Sequence, residues 1–214
     1  MTPQERAERA VALLEQEYPD AICALKYQKD YELLFATRLS AQCTDARVNI
    51  VTQDLYREFP TLQSFADAQP EDIEKIIRPC GLGNTKARDI HLAAQYLLEH
   101  HGGKVPSTMP ELLKIPGVGR KTANLILGDI FHQPAIVTDT HCIRLSNRIG
   151  LVDGIKEPGK VEKALRPIVP PEASSDFCHR LVLHGRAVCT ARKPYCEKCC
   201  LAEICKFAQD GNGC

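Results

Sequence analysis

The sequence has no excess charge of either sign. Its 214 residues contain 27 lysines and arginines and 27 aspartates and glutamates, so the formal net charge is zero. This balance excludes a broad basic surface for non-specific binding of nucleic acid. A local basic face is still compatible with it, because the last third of the chain carries several arginines and lysines with fewer acids between them.

The sequence also lacks long apolar runs, repeats and low-complexity tracts. No segment approaches the ~20 apolar residues that are needed to span a bilayer. The polar start Met1–Glu5 has none of the features of a secretory signal. We therefore expect a cytoplasmic chain with no membrane partner.

Alternation of apolar and polar residues with a period of two, the pattern typical of β-strands, is not sustained anywhere. The spacing instead predicts an all-α fold of two helical domains, with Pro134 near the passage from one helical bundle to the other. Apolar residues recur at helical spacing over 3–17, 30–41, 45–59, 140–150, 158–168 and 175–188, and in helices that begin near Pro70, Asn84, Met109 and Arg120. Asn84 is expected to cap the helix that it begins.

A glycine-rich hairpin is predicted between the two short helices in the middle of the chain. Thr108 and Glu111 have the spacing of a capping box at the start of the first helix. Pro116 ends that helix, while Gly117 and Gly119 permit backbone angles that are closed to other residues. The N–H groups at the positive end of the second helix then form a seat for a phosphate.

Lys121 and Asp139 are the candidate catalytic pair. Lys121 falls in the first turn of the second helix, where the positive helix end and desolvation would both favour the neutral amine. A neutral amine is a nucleophile that forms Schiff bases with a sugar carbonyl carbon. Asp139 lies at the start of the next predicted helix. If the two helix N-termini converge, the pair suits attack at a sugar C1′. The structural alternatives are that Lys121 only contacts phosphate and that Asp139 only caps its helix.

The eleven cysteines, an odd number, argue against a disulfide framework. The spacing Cys189-x6-Cys196-x2-Cys199-x5-Cys205 suits either a [4Fe–4S] cluster or a structural zinc ion. Zinc ribbons more often contain two C-x2-C pairs, and this loop contains one, which favours iron–sulfur. Cys200 is then a non-ligand, and a structural role is favoured over catalysis.

Four motifs follow one another along the chain: Leu39–Asp45, Gly81–Ala87, Ile115–Ala123 and Thr138–His141. Together with the cysteine loop they resemble the endonuclease III family, bifunctional DNA glycosylases and abasic-site lyases of the helix-hairpin-helix superfamily. The resemblance covers essentially the whole chain. A hairpin alone is not specific, but the combination is.

The resemblance implies a six-helix barrel domain over 22–134 and a cluster domain formed by 1–21 and 135–214, with a DNA-binding cleft between them. It implies that Lys121 is the Schiff-base lysine, that Asp139 is the catalytic aspartate, and that the four spaced cysteines bind a [4Fe–4S] cluster.

DNA contacts are implied at two kinds of position. Gln42 and Leu82 match residues that fill and wedge the duplex when a base is flipped. From the residues alone, Gln42 is interpreted as a helix-end cap and Leu82 as an apolar contact where a helix stops. The other implied contacts are the hairpin residues Gly117, Val118, Gly119 and Arg120, with His141, Arg192 and Lys193.

The implied activity is base-excision repair of oxidised pyrimidines. The damaged base is extruded from the stack, Lys121 displaces it at C1′, and Asp139 stabilises the developing charge. Beta-elimination then cuts the strand on the 3′ side. The expected partner is double-stranded DNA with a damaged pyrimidine or an abasic site, bound by a monomer at the nucleoid of a bacterial cell.

The same residues distinguish other activities to different degrees. An adenine-mismatch glycosylase has no lysine at the position of Lys121, whereas a pyrimidine-dimer glycosylase/lyase shares the core motifs. A non-catalytic DNA-binding or redox-sensing module requires Lys121 and Asp139 to match by accident. The chain departs from the family at Gly83, where an aromatic often follows the wedge leucine, and at Cys43 and Thr138, where other small residues are frequent.

Overall fold

A computed structural model describes residues 1–211, and their regular structure is helical. The α-helices are α1 (Pro3–Glu17), α2 (Asp30–Leu39), α3 (Asp45–Glu58), α4 (Leu62–Asp67), α5 (Pro70–Ile77), α6 (Gly83–His101), α7 (Met109–Leu112), α8 (Arg120–Asp129), α9 (Thr140–Ile149), α10 (Pro158–Leu165), α11 (Ser174–Ala187) and α12 (Lys206–Gln209). Within this range the only extended pairing is an isolated bridge between Cys189 and Pro194. The predicted all-α class is confirmed.

Side-chain caps explain why several helices begin where the sequence predicted. The Thr44 hydroxyl accepts from the Arg47 N–H at the start of α3, and Asp139 Oδ1 accepts from the Cys142 N–H at 2.7 Å at the start of α9. Each cap satisfies one of the N–H groups that a helix N-terminus leaves without a partner inside the helix.

Several details of the helix prediction were wrong. Asn84 does not cap α6, because Leu82 occupies the N-cap position with a left-handed backbone. The Thr108 hydroxyl donates a hydrogen bond to the Glu111 carboxylate, and the Thr108 side chain does not cap a backbone N–H of α7. Helix α2 ends two residues early, where Ser40 begins a turn closed by the Cys43 N–H. The short helices α4 and α12 were not predicted at all, and α10 ends at Leu165, three residues before its predicted end.

The chain divides into two compact units. One unit is Cys23–Phe131, which contains α2 to α8, and the other combines Met1–Ile22 with the chain from His132 onward. The sequence-based domains, 22–134 and 1–21 with 135–214, stay a prediction, and their last residues, 212–214, lie outside the described range. No helix within residues 1–211 has both the length and the apolar character to cross a membrane.

Each unit has its own apolar core. In the Cys23–Phe131 unit, the rings of Phe35 and Phe65 pack with their centroids 4.9 Å apart, and α6 contacts both α4 and α5. In the other unit, α11 packs against α1 and α9, with Phe177 fully buried. These cores fix the helix ends that carry the predicted site residues.

Candidate functional site

The predicted hairpin is present between α7 and α8. The Val118 N–H donates to the Ile115 carbonyl at 3.1 Å, and Gly119 is the N-cap residue of α8. Gly117 has a φ of +76°, in the left-handed region that favours glycine. Gly119 has no side chain that could cap α8, and the positive end of a helix of this kind suits an anion.

Gly117 is also required by a close approach to α6. A Cβ atom at this position would lie 2.8 Å from the Cβ of Asp89, which is too close for carbon atoms. Asp89 accepts from the Arg38 guanidinium at 2.6 Å, so an ion pair between α2 and α6 lies directly under the hairpin. The hairpin is therefore held against two helices of its own unit.

Arg120 and Lys121 are the first two residues of α8, and both side chains are exposed. The position of Lys121 in the first turn was predicted. The exposure of its side chain was not predicted, because the sequence interpretation assumed that the amine is desolvated. In this structure the Lys121 amine remains accessible to a substrate atom from solvent.

Gln42 and Leu82 share an unusual backbone conformation. Their φ angles are +58° and +51°, and both side chains are exposed, with 55% of the Leu82 surface accessible. A left-handed backbone costs a residue other than glycine about 1–2 kcal/mol. Strain of this kind is concentrated at functional sites. Gly83, the departure after Leu82, lies tightly against α5, since a Cβ there would be 3.0 Å from Glu74 Cγ.

Lys86 is a buried residue of this region whose role the sequence reasoning missed. Its side chain has no accessible surface, and Nζ donates to the carbonyl oxygens of Leu39, Ala41 and Cys80 at 2.8, 2.7 and 2.8 Å. Burial lowers the pKa of this amine. The sequence did contain a signal for its burial, because Lys86 lies on the same helix face as the apolar residues Ile90 and Leu97.

Asp139 and His141 lie at the start of α9, in the other unit. Asp139 is half-buried and caps the helix, as the structural alternative predicted. The ring Nδ1 of His141 accepts from the Arg144 guanidinium at 3.1 Å, and Arg144 also donates to the carbonyls of Gly185 and Cys189. His141 thus packs within its own unit, and its contact with DNA stays a prediction.

The four spaced cysteines line one open pocket. Cys189, Cys196, Cys199 and Cys205 contribute to its wall, and Cys200 does not. Among residues 1–211, no three His, Cys, Asp or Glu side chains are close enough to hold a single metal ion.

The chemistry of the pocket wall fits an iron–sulfur cluster. Burial raises the pKa of the Cys199 thiol to about 12, so the thiolate needs a metal's positive charge to form. His184 Nε2 lies 3.2 Å from Cys199 Sγ, and its Nδ1 lies 3.1 Å from the Tyr18 hydroxyl. Hydrogen bonds to ligand sulfurs are a common feature of such sites. Sequence reasoning missed His184, which precedes the cysteine loop in the sequence and meets Cys199 only in the folded chain.

Arg192 and Lys193 are exposed at the tip of the loop between Cys189 and Cys196. Arg148 of α9 donates to the carbonyls of Thr190 and Ala191 at 2.7 and 3.0 Å and fixes the base of this loop. The two predicted phosphate contacts are therefore presented by a segment that is held by α9.

Comparison with known proteins gives a consistent family. Residues 35–171 match the HhH-GPD superfamily of base excision DNA repair proteins. Endonuclease III of Synechocystis sp. is 43% identical over 207 residues, which cover 96% of this chain and 94% of the relative. Endonuclease III of Escherichia coli K12 is 39% identical over 196 residues, 92% of each chain. A trapped covalent intermediate of endonuclease III with DNA matches with a TM-score of 0.92 at 38% identity, covering 99% of this chain and 100% of that one.

Proposed function

This chain belongs to the HhH-GPD superfamily and is a base-excision DNA glycosylase with abasic-site lyase activity, and we propose that it acts on oxidised pyrimidines in duplex DNA. The observation that supports its chemistry best is the exposed amine of Lys121 in the first turn of α8, beside the glycine hairpin at the positive end of that helix. That arrangement places a nucleophile next to a phosphate seat.

In the proposed reaction, Lys121 Nζ attacks C1′ of the flipped nucleotide, and the bond from C1′ to the base breaks as the base leaves with a proton. Opening of the sugar ring gives an imine between Nζ and C1′. Loss of a C2′ proton then expels the 3′ phosphate by β-elimination. Asp139 stabilises the positive charge that develops on the sugar, because its carboxylate is held in place by the α9 cap.

DNA binding is proposed to use few phosphate contacts. The N–H groups of the Gly117–Gly119 hairpin and the Arg120 side chain bind the backbone near the lesion. Arg192 and Lys193 bind it from the cysteine loop. Such contacts position the duplex without reading its sequence, while Gln42 and Leu82 occupy the space that the flipped base leaves.

The cofactor is proposed to be a [4Fe–4S] cluster held by Cys189, Cys196, Cys199 and Cys205. Its contribution is structural, because metal–thiolate bonds close the loop that presents Arg192 and Lys193. The relatives are bacterial proteins, so we also propose that the chain works as a monomer on the nucleoid DNA of a bacterial cell.

The substrate proposal is tested with duplex oligonucleotides that carry thymine glycol, a cyclobutane pyrimidine dimer, or adenine opposite guanine. We expect release of thymine glycol together with a cut on its 3′ side. Faster action on the dimer would overturn the assignment to oxidised pyrimidines. Release of the base without a cut would overturn the proposed role of Lys121 as nucleophile.

A further inference from the structure

Lys86 joins two loops that are far apart in the sequence. Leu39 and Ala41 lie at the C-terminal end of α2, where carbonyl groups lack partners within the helix, and Cys80 ends a short 3₁₀ turn before α6. An ammonium group has three N–H donors. All three donors of Lys86 are used, one by each carbonyl.

Each of the two loops carries one exposed residue other than glycine with a left-handed backbone, Gln42 in one loop and Leu82 in the other. Gln42 follows Ala41 directly, and Leu82 lies two residues after Cys80. The backbone N–H of Lys86 also donates to the Leu82 carbonyl at 3.0 Å, so the same residue binds the Leu82 loop through both its side chain and its main chain. A single buried cation thus holds both strained segments.

An apolar residue would fill this space at lower cost if only stability mattered. Moving an ammonium out of water carries a large penalty, and lysine is almost never fully buried unless it is paired. Here its partners are three main-chain oxygens, which define the positions of two separate segments. The negative end of the α2 dipole adds a favourable interaction with the charge.

We propose that Lys86 is a positioning residue that holds the Gln42 and Leu82 loops at a fixed separation, so that both side chains enter the duplex together when a base is flipped. This inference rests on the proposed DNA contacts of Gln42 and Leu82. It predicts that Lys86 affects the flipping step and leaves the covalent chemistry of Lys121 unaltered.

The experiment compares two reactions of the Lys86→Met variant. Base release from duplex DNA with thymine glycol requires flipping, whereas cleavage of a single-stranded abasic oligonucleotide does not. We expect base release to fall about 100-fold, the order of loss that misplacement by 1 Å produces, while single-stranded cleavage keeps its wild-type rate. Lys104→Met, at an exposed lysine of the same unit, is the matched control and should leave both rates unchanged.

Two further variants separate positioning from folding. Lys86→Arg keeps the charge, but a planar guanidinium cannot point at three converging carbonyls, so it should show the same selective loss even if the Met variant does not fold. In a Leu82→Ala background the effect of Lys86→Arg should shrink, because the two residues act on one step. Equal loss in both reactions, or no loss in either, would overturn the proposal. If the proposed function itself fails, the wild-type protein will not release thymine glycol.

Discussion

At the scale of single residues, Asp139 has a structural role and a proposed chemical role that substitutions can separate. Asparagine caps a helix about as well as aspartate, so Asp139→Asn should change the free energy of unfolding by less than about 0.5 kcal/mol. Loss of the carboxylate should slow single-turnover base release about 100-fold or more. Asp139→Ala should slow base release to the same extent and should also lower the free energy of unfolding by about 1 kcal/mol. An Asn variant that loses only DNA affinity would contradict the chemical role.

Leu82 provides a second test at this scale, because its strain and its function are predicted to oppose each other. Leu82→Gly removes the left-handed strain and should raise the free energy of unfolding by about 1 kcal/mol. It also removes the wedge, so base release from duplex DNA should fall. Leu82→Ala removes the wedge but keeps the strain, and should show the loss of activity without the gain in stability. Thermal unfolding measures the change in stability, and single-turnover rates measure the change in base release. A fully active Leu82→Gly variant would contradict the role of Leu82 as a wedge.

At the scale of structural elements, the cysteine loop is predicted to depend on metal. Cys196→Ser should lose iron, visible absorption and thermal stability together, because a metal that binds only the folded loop contributes its binding energy to folding. Cys200→Ser is the matched control, since Cys200 neighbours Cys199 but does not line the pocket. Iron content and absorption spectra of the two variants are compared with those of the wild type. Zinc in place of iron, or loss of iron from the Cys200 variant, would contradict the proposed ligand set.

The elements also show which parts of the molecule sequence can predict. Helices with local signals were predicted well: Asp139 caps α9 through an N–H only three residues away. Helix α4 was missed because six residues show too little periodicity to recognise. The role of Lys86 was missed because it depends on carbonyls of residues 39, 41 and 80, which meet only in the folded chain. Leu82 occupies the N-cap position of α6 with a left-handed backbone, and no residue pattern in the sequence indicates that backbone angle.

At the scale of the whole molecule, the balanced charge predicts a weak dependence of DNA binding on salt. Each phosphate that is neutralised contributes about −0.9 to the slope of log affinity against log salt, so a few contacts give a slope of about −2 to −4. Arg192→Ala with Lys193→Ala should flatten the slope by about one or two units, on damaged and intact DNA alike. Lys160→Ala with Lys163→Ala, two exposed cations of α10, should leave it unchanged. A steep wild-type slope would contradict the account.

The central claim is that Lys121 forms the covalent bond to DNA, and borohydride trapping tests it most directly. The wild-type protein is mixed with abasic duplex DNA, reduced with borohydride and digested, and the modified peptide is identified by mass spectrometry. We expect the adduct on Lys121 and no trapped complex with Lys121→Gln, whereas Lys114→Gln, at an exposed lysine before the hairpin, should trap as the wild type does. An adduct on another residue, or a Lys121→Gln variant that still traps and cuts abasic DNA, would contradict the claim.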